Sequence, residues 1–368
     1  MVTVQRASGR GPRRPLVIPI FIPHEGCPHD CIFCNQHSIS GHLAPPVTAR
    51  EVGEIIRTWL ERSHPDRMGQ VQVAFYGGSF SGLPIARQEE LLGAVQPFLE
   101  EGRVQDIRLS TRPDYIDPER LDLLVRHRVG IIELGAQSCD DRVLRQAGRG
   151  HDAAAITVAV GLIKERDLRL GIQLMLGLPG DGCRSLRLTL DTIIGLRPDF
   201  VRLYPVLVLR DSGLETLYHR GAYRPLSLGR AVVQAAVLKK RFDDEGIQVV
   251  RMGLQPTRAL EQALVAGPYH PAFGELVDAR LMLQRTRRAL ASVPATERVT
   301  LVIAARDVSI FRGQRRTNML RLQALGLLER FNLHIDPDQP RYTLKVLQEN
   351  PFGGDWAGDG EPAPEQSL

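Results

Sequence analysis

Seven short runs rich in apolar and β-branched residues recur up to Gly253, the first six each followed by a stretch with helical spacing, and this alternation constrains the fold most strongly. The strand-like runs are 16–23, 72–77, 106–111, 130–136, 170–176, 200–208 and 248–253. The amphipathic stretches between and after them are 49–62, 87–100, 118–126, 153–165, 184–195 and 229–245. Several runs are apolar almost throughout, as expected of strands covered on both faces. Repeated strand–helix units running in one sense predict an α/β fold: a parallel sheet with right-handed crossovers, closed or partly closed as a barrel. A chain of 368 residues has ample material for such a core.

The character of the chain changes near Gly267-Pro268-Tyr269-His270-Pro271. Beyond it, helical spacing at 279–291 and 315–325, a strand-like run at 299–304 and a terminal hairpin predict a small α+β appendage. The hairpin would pair 327–335 with 342–347 across Asp336-Pro337-Asp338-Gln339-Pro340. The expected division is therefore a basic arm at 1–15, a core barrel at 16–266, an α+β region at 267–349, and an acidic, Gly/Pro-rich tail at 350–368 that composition marks as disordered. The arm carries Arg6, Arg10, Arg13 and Arg14, and the chain's net charge is +5. No run approaches the ~20 apolar residues that span a bilayer, and the first residues lack a signal-peptide core. A cytoplasmic location without membrane contact is the expectation.

Small and polar residues gather just after the strand-like runs. The segment 24–34 follows the first, Gly77-Gly78-Ser79 the second and Ser110-Thr111-Arg112-Pro113 the third. Gln137-Ser138, Gly177-Leu178-Pro179-Gly180 and Arg210-Asp211-Ser212 follow the next three. Barrels of this kind carry their chemistry at the C-terminal ends of strands, so these six loops form one candidate site.

The first loop reads His24-Glu25-Gly26-Cys27-Pro28-His29-Asp30-Cys31-Ile32-Phe33-Cys34. Three thiols at spacings of four and three, in a chain with five cysteines, point to metal or redox chemistry rather than to disulfides. Three soft ligands on one loop suit an iron–sulfur cube with one iron left open. An amino acid's amino and carboxylate groups, such as those of S-adenosylmethionine (SAM), could chelate that iron. Zinc is the rival, because His24, His29, His37 and His42 lie close by. Around the cysteines, Gly77-Gly78 could expose carbonyl oxygens to an ammonium or simply form a tight turn. Ser110 and Arg112 could meet a carboxylate or ribose, although an arginine at a strand end is often an ordinary ion pair. Phe33 could lie against an adenine or pack in a core.

With these residues in view, the chain resembles the radical SAM superfamily: Cys27, Cys31 and Cys34, with an aromatic before the last, match its motif. Phe75-Tyr76-Gly77-Gly78-Ser79-Phe80, Leu109-Ser110-Thr111-Arg112-Pro113-Asp114-Tyr115-Ile116 and Glu133-Leu134-Gly135-Ala136-Gln137-Ser138 are similar to the Elongator catalytic-subunit branch. So are Arg149-Gly150-His151, Met175-Leu176-Gly177-Leu178-Pro179-Gly180 and Leu203-Tyr204-Pro205-Val206-Leu207-Val208. The resemblance, over about 16–255, implies a partial (β/α)6-type barrel with a [4Fe–4S] cluster on Cys27, Cys31 and Cys34. It implies SAM held by Gly77, Gly78 and Ser79 at the methionine amino group, and by Ser110, Arg112 and Gln137 at the carboxylate and ribose. Gln173 and Met175 would line the adenine side, where Phe33 could also lie.

The implied activity is reductive SAM cleavage to a 5′-deoxyadenosyl radical, with an electron donor such as a ferredoxin or flavodoxin. Substrate readings remain open: an RNA (tRNA) base in the Elongator manner, or a tetrapyrrole or small metabolite as in porphyrinogen-oxidase-like relatives. A non-catalytic, metal-stabilised RNA-binding module is the non-enzymatic alternative. No acetyl-CoA-binding glycine loop follows Pro271, so the likeness is to the radical SAM part alone. Tyr269 and His270 are candidate catalytic proton donors. Arg306, Arg312, Arg315, Arg316 and Arg321 could meet RNA phosphates or solvent. Cys139 and Cys183 are expected to be packing residues.

Overall fold

The computed structural model describes residues 15–22, 25–27, 31–35, 45–63 and 69–348. The basic arm, the acidic tail and the four loop histidines lie outside the described residues. The chain divides into two compact units, 1–274 and 275–368, with the break just beyond the expected 266/267 boundary.

In the first unit, β1 (Leu16–Phe21), β2 (Val71–Tyr76), β3 (Asp106–Thr111), β4 (Val129–Gln137), β5 (Arg169–Leu176) and β6 (Phe200–Pro205) pair in chain order, every pair parallel. A two-residue β7 (Val208–Leu209) leaves this sheet, and β8 (Gln248–Met252) closes its far edge beside β6. The seven-stranded sheet is the curled, incomplete barrel that the alternation predicts. Strands β2 and β4 are buried along almost their whole length, which follows from helices on the outer face and side chains filling the inner one.

Local signals set the helix starts. Thr48 caps the helix Ala49–Arg62 with a complete capping box: the Glu51 carboxylate accepts the Thr48 N–H while the Glu51 N–H donates to the threonine hydroxyl. Asp117, Asp152 and Ser227 cap the helices Pro118–Arg126, Ala153–Lys164 and Leu228–Asp244 in the simpler way. The apolar run expected at 200–208 is broken. Its last residues pair instead as β7 with β9 (Leu264–Ala266) in a small antiparallel ribbon.

The second unit corrects one expectation. Strands β11 (Phe331–Asp336) and β12 (Leu344–Gln348) do not pair with each other, because β10 (Val299–Ala304) lies between them, parallel to β11 and antiparallel to β12. The reason is burial: β10 reads Val-Thr-Leu-Val-Ile-Ala and is buried at all but one position, whereas its neighbours carry Asn332, His334 and Lys345. The most apolar strand takes the centre, where both edges are paired. Leu301, Ile303, Phe311, Leu322 and Phe331 form the core of this unit, with Phe311 and Phe331 meeting edge to face at 5.9 Å. Among the described residues no helix is long and apolar enough to cross a membrane.

Candidate functional site

The cysteine loop rests on glycine. A Cβ on Gly78 would collide with the carbonyl oxygens of Glu25 and Ile22, and one on Gly26 with that of Ser79. The Ser79 N–H donates to Glu25 O at 3.0 Å and the Ile22 N–H to Tyr76 O at 2.8 Å. The segment leading to Cys27 thus packs backbone against backbone on the turn after β2, an approach that only glycine permits. Further along, the Ile32 N–H donates to Ala147 O at 3.2 Å, and Ile32 O accepts from the Leu214 N–H at 2.7 Å. Residues far apart in sequence therefore hold the loop over the strand ends.

Among the described residues Cys27, Cys31 and Cys34 form no disulfide. Cys31 is buried, at 8% exposure, and the other two are half-buried. Two guanidiniums converge on Cys31: Arg149 Nη1 stands 3.2 Å from its sulfur and Arg112 Nη1 3.9 Å. Burial pushes the Cys27 thiol up and the neighbouring Cys31 adds to this, while Arg112 and Arg149 pull it down. Among the described residues no three His, Cys, Asp or Glu side chains gather as ligands of a single ion.

Arg112, from the end of β3, is 4% exposed and clamps Asp114 in two parallel bonds of 2.9 and 2.8 Å. Burial alone would raise the Asp114 carboxyl, but the Arg112 bonds and charge hold it below the usual range. A further Arg112 bond goes to the carbonyl oxygen of Arg149. The Arg149 Nε donates to His151 Nε2 at 3.3 Å, so the histidine is protonated at Nδ1, which faces Asp152 O. Burial, then the Arg149 charge, lowers His151 to about 4.

The Ser79 side chain joins two loops. Its hydroxyl lies 2.9 Å from that of Thr111 and accepts the Arg112 N–H at 3.2 Å, joining the loops after β2 and β3. Gln137 ends β4 in the left-handed region at φ 68°, and its buried Oε1 has no hydrogen-bond partner. A strained backbone and an orphaned buried acceptor at one residue mark a place shaped for a ligand. Phe33 and Met175 pack on the same apolar cluster, with Val143, Leu178 and Leu214, so these two expected adenine contacts share one wall.

Ser110 and Gln173 are half-buried and bonded to each other at 3.0 Å. They border a charged network missing from the sequence expectations. Glu133, wholly buried, meets Arg108 at 2.8 Å, Arg202 at 2.6 Å, Gln173 at 3.1 Å and the Tyr76 hydroxyl at 3.1 Å. Its signal was an ionisable residue in the middle of each of three apolar strands. Arg149 was visible only as part of a motif. Tyr269 and His270 stand on the connection from β9 to the following helix: the Tyr269 hydroxyl donates to Glu261 at 2.6 Å, and His270 Nδ1 accepts the Ala272 N–H at 3.0 Å. Cys139 is buried as expected, and its thiol is pushed up to about 12 by burial and Asp141. Cys183 departs from expectation and is exposed at the start of the helix Cys183–Leu196.

The profile of the radical SAM superfamily matches residues 21–193, and that of the radical SAM C-terminal domain matches residues 198–282. The chain belongs to the radical SAM superfamily. Members are enzymes that typically bind a [4Fe–4S] cluster and SAM. This radical SAM chain is 28% identical over 215 residues to an uncharacterised protein of Methanocaldococcus jannaschii, covering 55% of the chain and 64% of the relative. It is 25% identical to the tRNA uridine(34) acetyltransferase of the same organism, covering 57% and 46%. With Elongator complex protein 3 of Schizosaccharomyces pombe it shares 26% identity over 44% of the chain and 34% of the relative. The chain thus spans less than two thirds of each of these relatives. Archaeal Elp3 of Methanocaldococcus infernus, with its N-terminus deleted, has the same fold at TM-score 0.57 and 20% identity, covering 75% of this chain and 64% of that one.

Proposed function

We propose that this chain cleaves SAM reductively at a [4Fe–4S] cluster held by Cys27, Cys31 and Cys34, and directs the resulting radical at an RNA base. The observation that carries the reading is the pair of buried guanidiniums on the Cys31 sulfur. Cations placed in a dry site beside thiols fit a group that is anionic when assembled. Three thiols on one loop with no fourth from the described residues suit a cluster with one open iron.

When bound, the cluster and SAM together supply one-electron chemistry that yields methionine and a 5′-deoxyadenosyl radical. The chain's own residues bind and orient. Gly77, Gly78 and Ser79 hold the cysteine loop against the end of β2 and face the methionine amino group. Ser110, Arg112 and the orphaned Gln137 Oε1 face its carboxylate and the ribose, with Arg112 already fixed by Asp114. Phe33, Met175 and Gln173 line the adenine, the first two as apolar wall. The Glu133 network supports the inner face of the barrel below. Tyr269 and His270 would act only on a substrate that reaches the β9 connection, as proton donors.

The RNA half of the reading is supported by the likeness to tRNA uridine(34) acetyltransferases and Elongator proteins. Mass spectrometry of tRNA nucleosides from a strain lacking the gene tests it. A modified uridine that vanishes on deletion and returns with the wild-type gene, but not with Cys31→Ala, is expected. An unchanged nucleoside profile would direct the search to small metabolites.

A further inference from the structure

The two arginines beside Cys31 differ in how their charges are balanced. Arg112 gives both arms of its fork to the Asp114 carboxylate, and its remaining nitrogen stands 3.9 Å from the sulfur. Arg149, 5% exposed, has no carboxylate partner among the described residues. Its Nη2 donates to Gly135 O at 2.5 Å, its Nε to His151 Nε2 at 3.3 Å, and its Nη1 to Cys31 Sγ at 3.2 Å. Two neutral acceptors fix the guanidinium plane, and the third contact is the thiol. A buried cation without a counter-charge is strongly unfavourable. The group placed to balance Arg149 is therefore the thiolate of Cys31 and whatever that thiolate holds.

We propose that Arg149 is a positioning residue that raises the reduction potential of the cysteine-held cluster through its hydrogen bond to the Cys31 sulfur. The inference rests on the reading of Cys27, Cys31 and Cys34 as cluster ligands. Adding one electron increases the negative charge on the cluster and its sulfurs, so a fixed cation with an N–H aimed at one sulfur stabilises the reduced form more than the oxidised one. Its positioning depends on His151, which accepts from Nε only while Nε2 is unprotonated, and on Gly135, whose carbonyl oxygen anchors the other arm. Arg112, with its charge taken by Asp114 and standing farther off, contributes less.

The test is an EPR-monitored redox titration of anaerobically reconstituted full-length protein without SAM, which removes any effect through SAM binding. Wild type, Arg149→Gln and Arg149→Lys are compared after iron and sulfide are counted. Arg149→Gln is expected to keep its iron and to be harder to reduce by at least tenfold in the one-electron equilibrium, a downward shift of about 59 mV. Arg149→Lys, which keeps the charge and loses the fork, is expected to shift by less. If Arg149→Gln does not hold iron, the lysine variant decides: a lower potential supports the proposal and an unchanged one overturns it. Equal potentials in all three proteins overturn the proposal while leaving the cluster assignment intact. A wild-type protein that assembles no iron–sulfur chromophore overturns both.

Discussion

Glu133 Oε2 on β4 lies 2.6 Å from Arg202 Nε on β6, so the contact bridges the inner face of β5. Arg108 on β3 holds the other carboxylate oxygen at 2.8 Å. One buried anion thus ties three strands of a sheet that does not close on itself. Removing it would leave two guanidiniums uncompensated in the interior. Glu133→Ala is expected to lower stability by about 3–5 kcal/mol, the usual cost of breaking a buried pair from one side. Denaturant unfolding followed by circular dichroism measures this, and a loss below about 1 kcal/mol would mean that water reaches the network.

Gly78→Ala places a methyl group against the carbonyl oxygens of Glu25 and Ile22. Because the barrel strands are untouched, secondary structure is expected to survive while the cysteine loop lifts away. Iron bound after anaerobic reconstitution should fall by more than about half relative to wild type. Full iron loading in this variant would show that the close backbone approach is dispensable.

Much of this was legible in the sequence because each signal was local. The helices Ala49–Arg62 and Pro118–Arg126 have the limits that their spacing and caps predict, and all seven strand-like runs contribute to the main sheet. The cysteine triad and the Gly77-Gly78 turn were found by spacing and residue type. What could not be read was the pairing of distant groups. Nothing in the spacing of Arg108, Glu133 and Arg202 says that their side chains meet, since inward orientation and sheet curvature decide it. Arg112 stood out as a candidate ligand contact and Arg149 only as part of a motif, and the fold alone brings both to Cys31 and gives Arg112 a carboxylate. The β11–β12 hairpin failed for a related reason: a turn-rich connector predicts a reversal of the chain, not which strand intervenes.

Gln137 holds a left-handed backbone, which costs a non-glycine residue about 1 kcal/mol. Gln137→Gly is expected to stabilise the fold by up to about 1 kcal/mol and to weaken SAM binding about tenfold, because the orphaned Oε1 is lost. Thermal unfolding and equilibrium dialysis with labelled SAM report the two effects separately. Unchanged SAM affinity would remove Gln137 from the site.

His151 is shifted down to about 4 by burial and by Arg149, below the ordinary histidine value of about 6.5. Between these values the unfolded chain binds a proton that the folded chain does not, so stability is expected to fall as pH drops from about 6.5 towards 4. This contribution is fully present above the unfolded-state value. In His151→Gln the fall over that window should be smaller by roughly 2 to 3 kcal/mol at most. Parallel curves for the two proteins would show that the histidine is protonated in the folded state.

On the proposed function, Cys27, Cys31 and Cys34 support reductive cleavage of SAM. Chromatographic detection of 5′-deoxyadenosine, after anaerobic incubation of reconstituted protein with dithionite and SAM, tests it most directly. The expected result is 5′-deoxyadenosine formed in proportion to protein and abolished in Cys31→Ala. Iron-loaded wild-type protein that forms no 5′-deoxyadenosine, or a Cys31→Ala variant that forms as much as wild type, would contradict it.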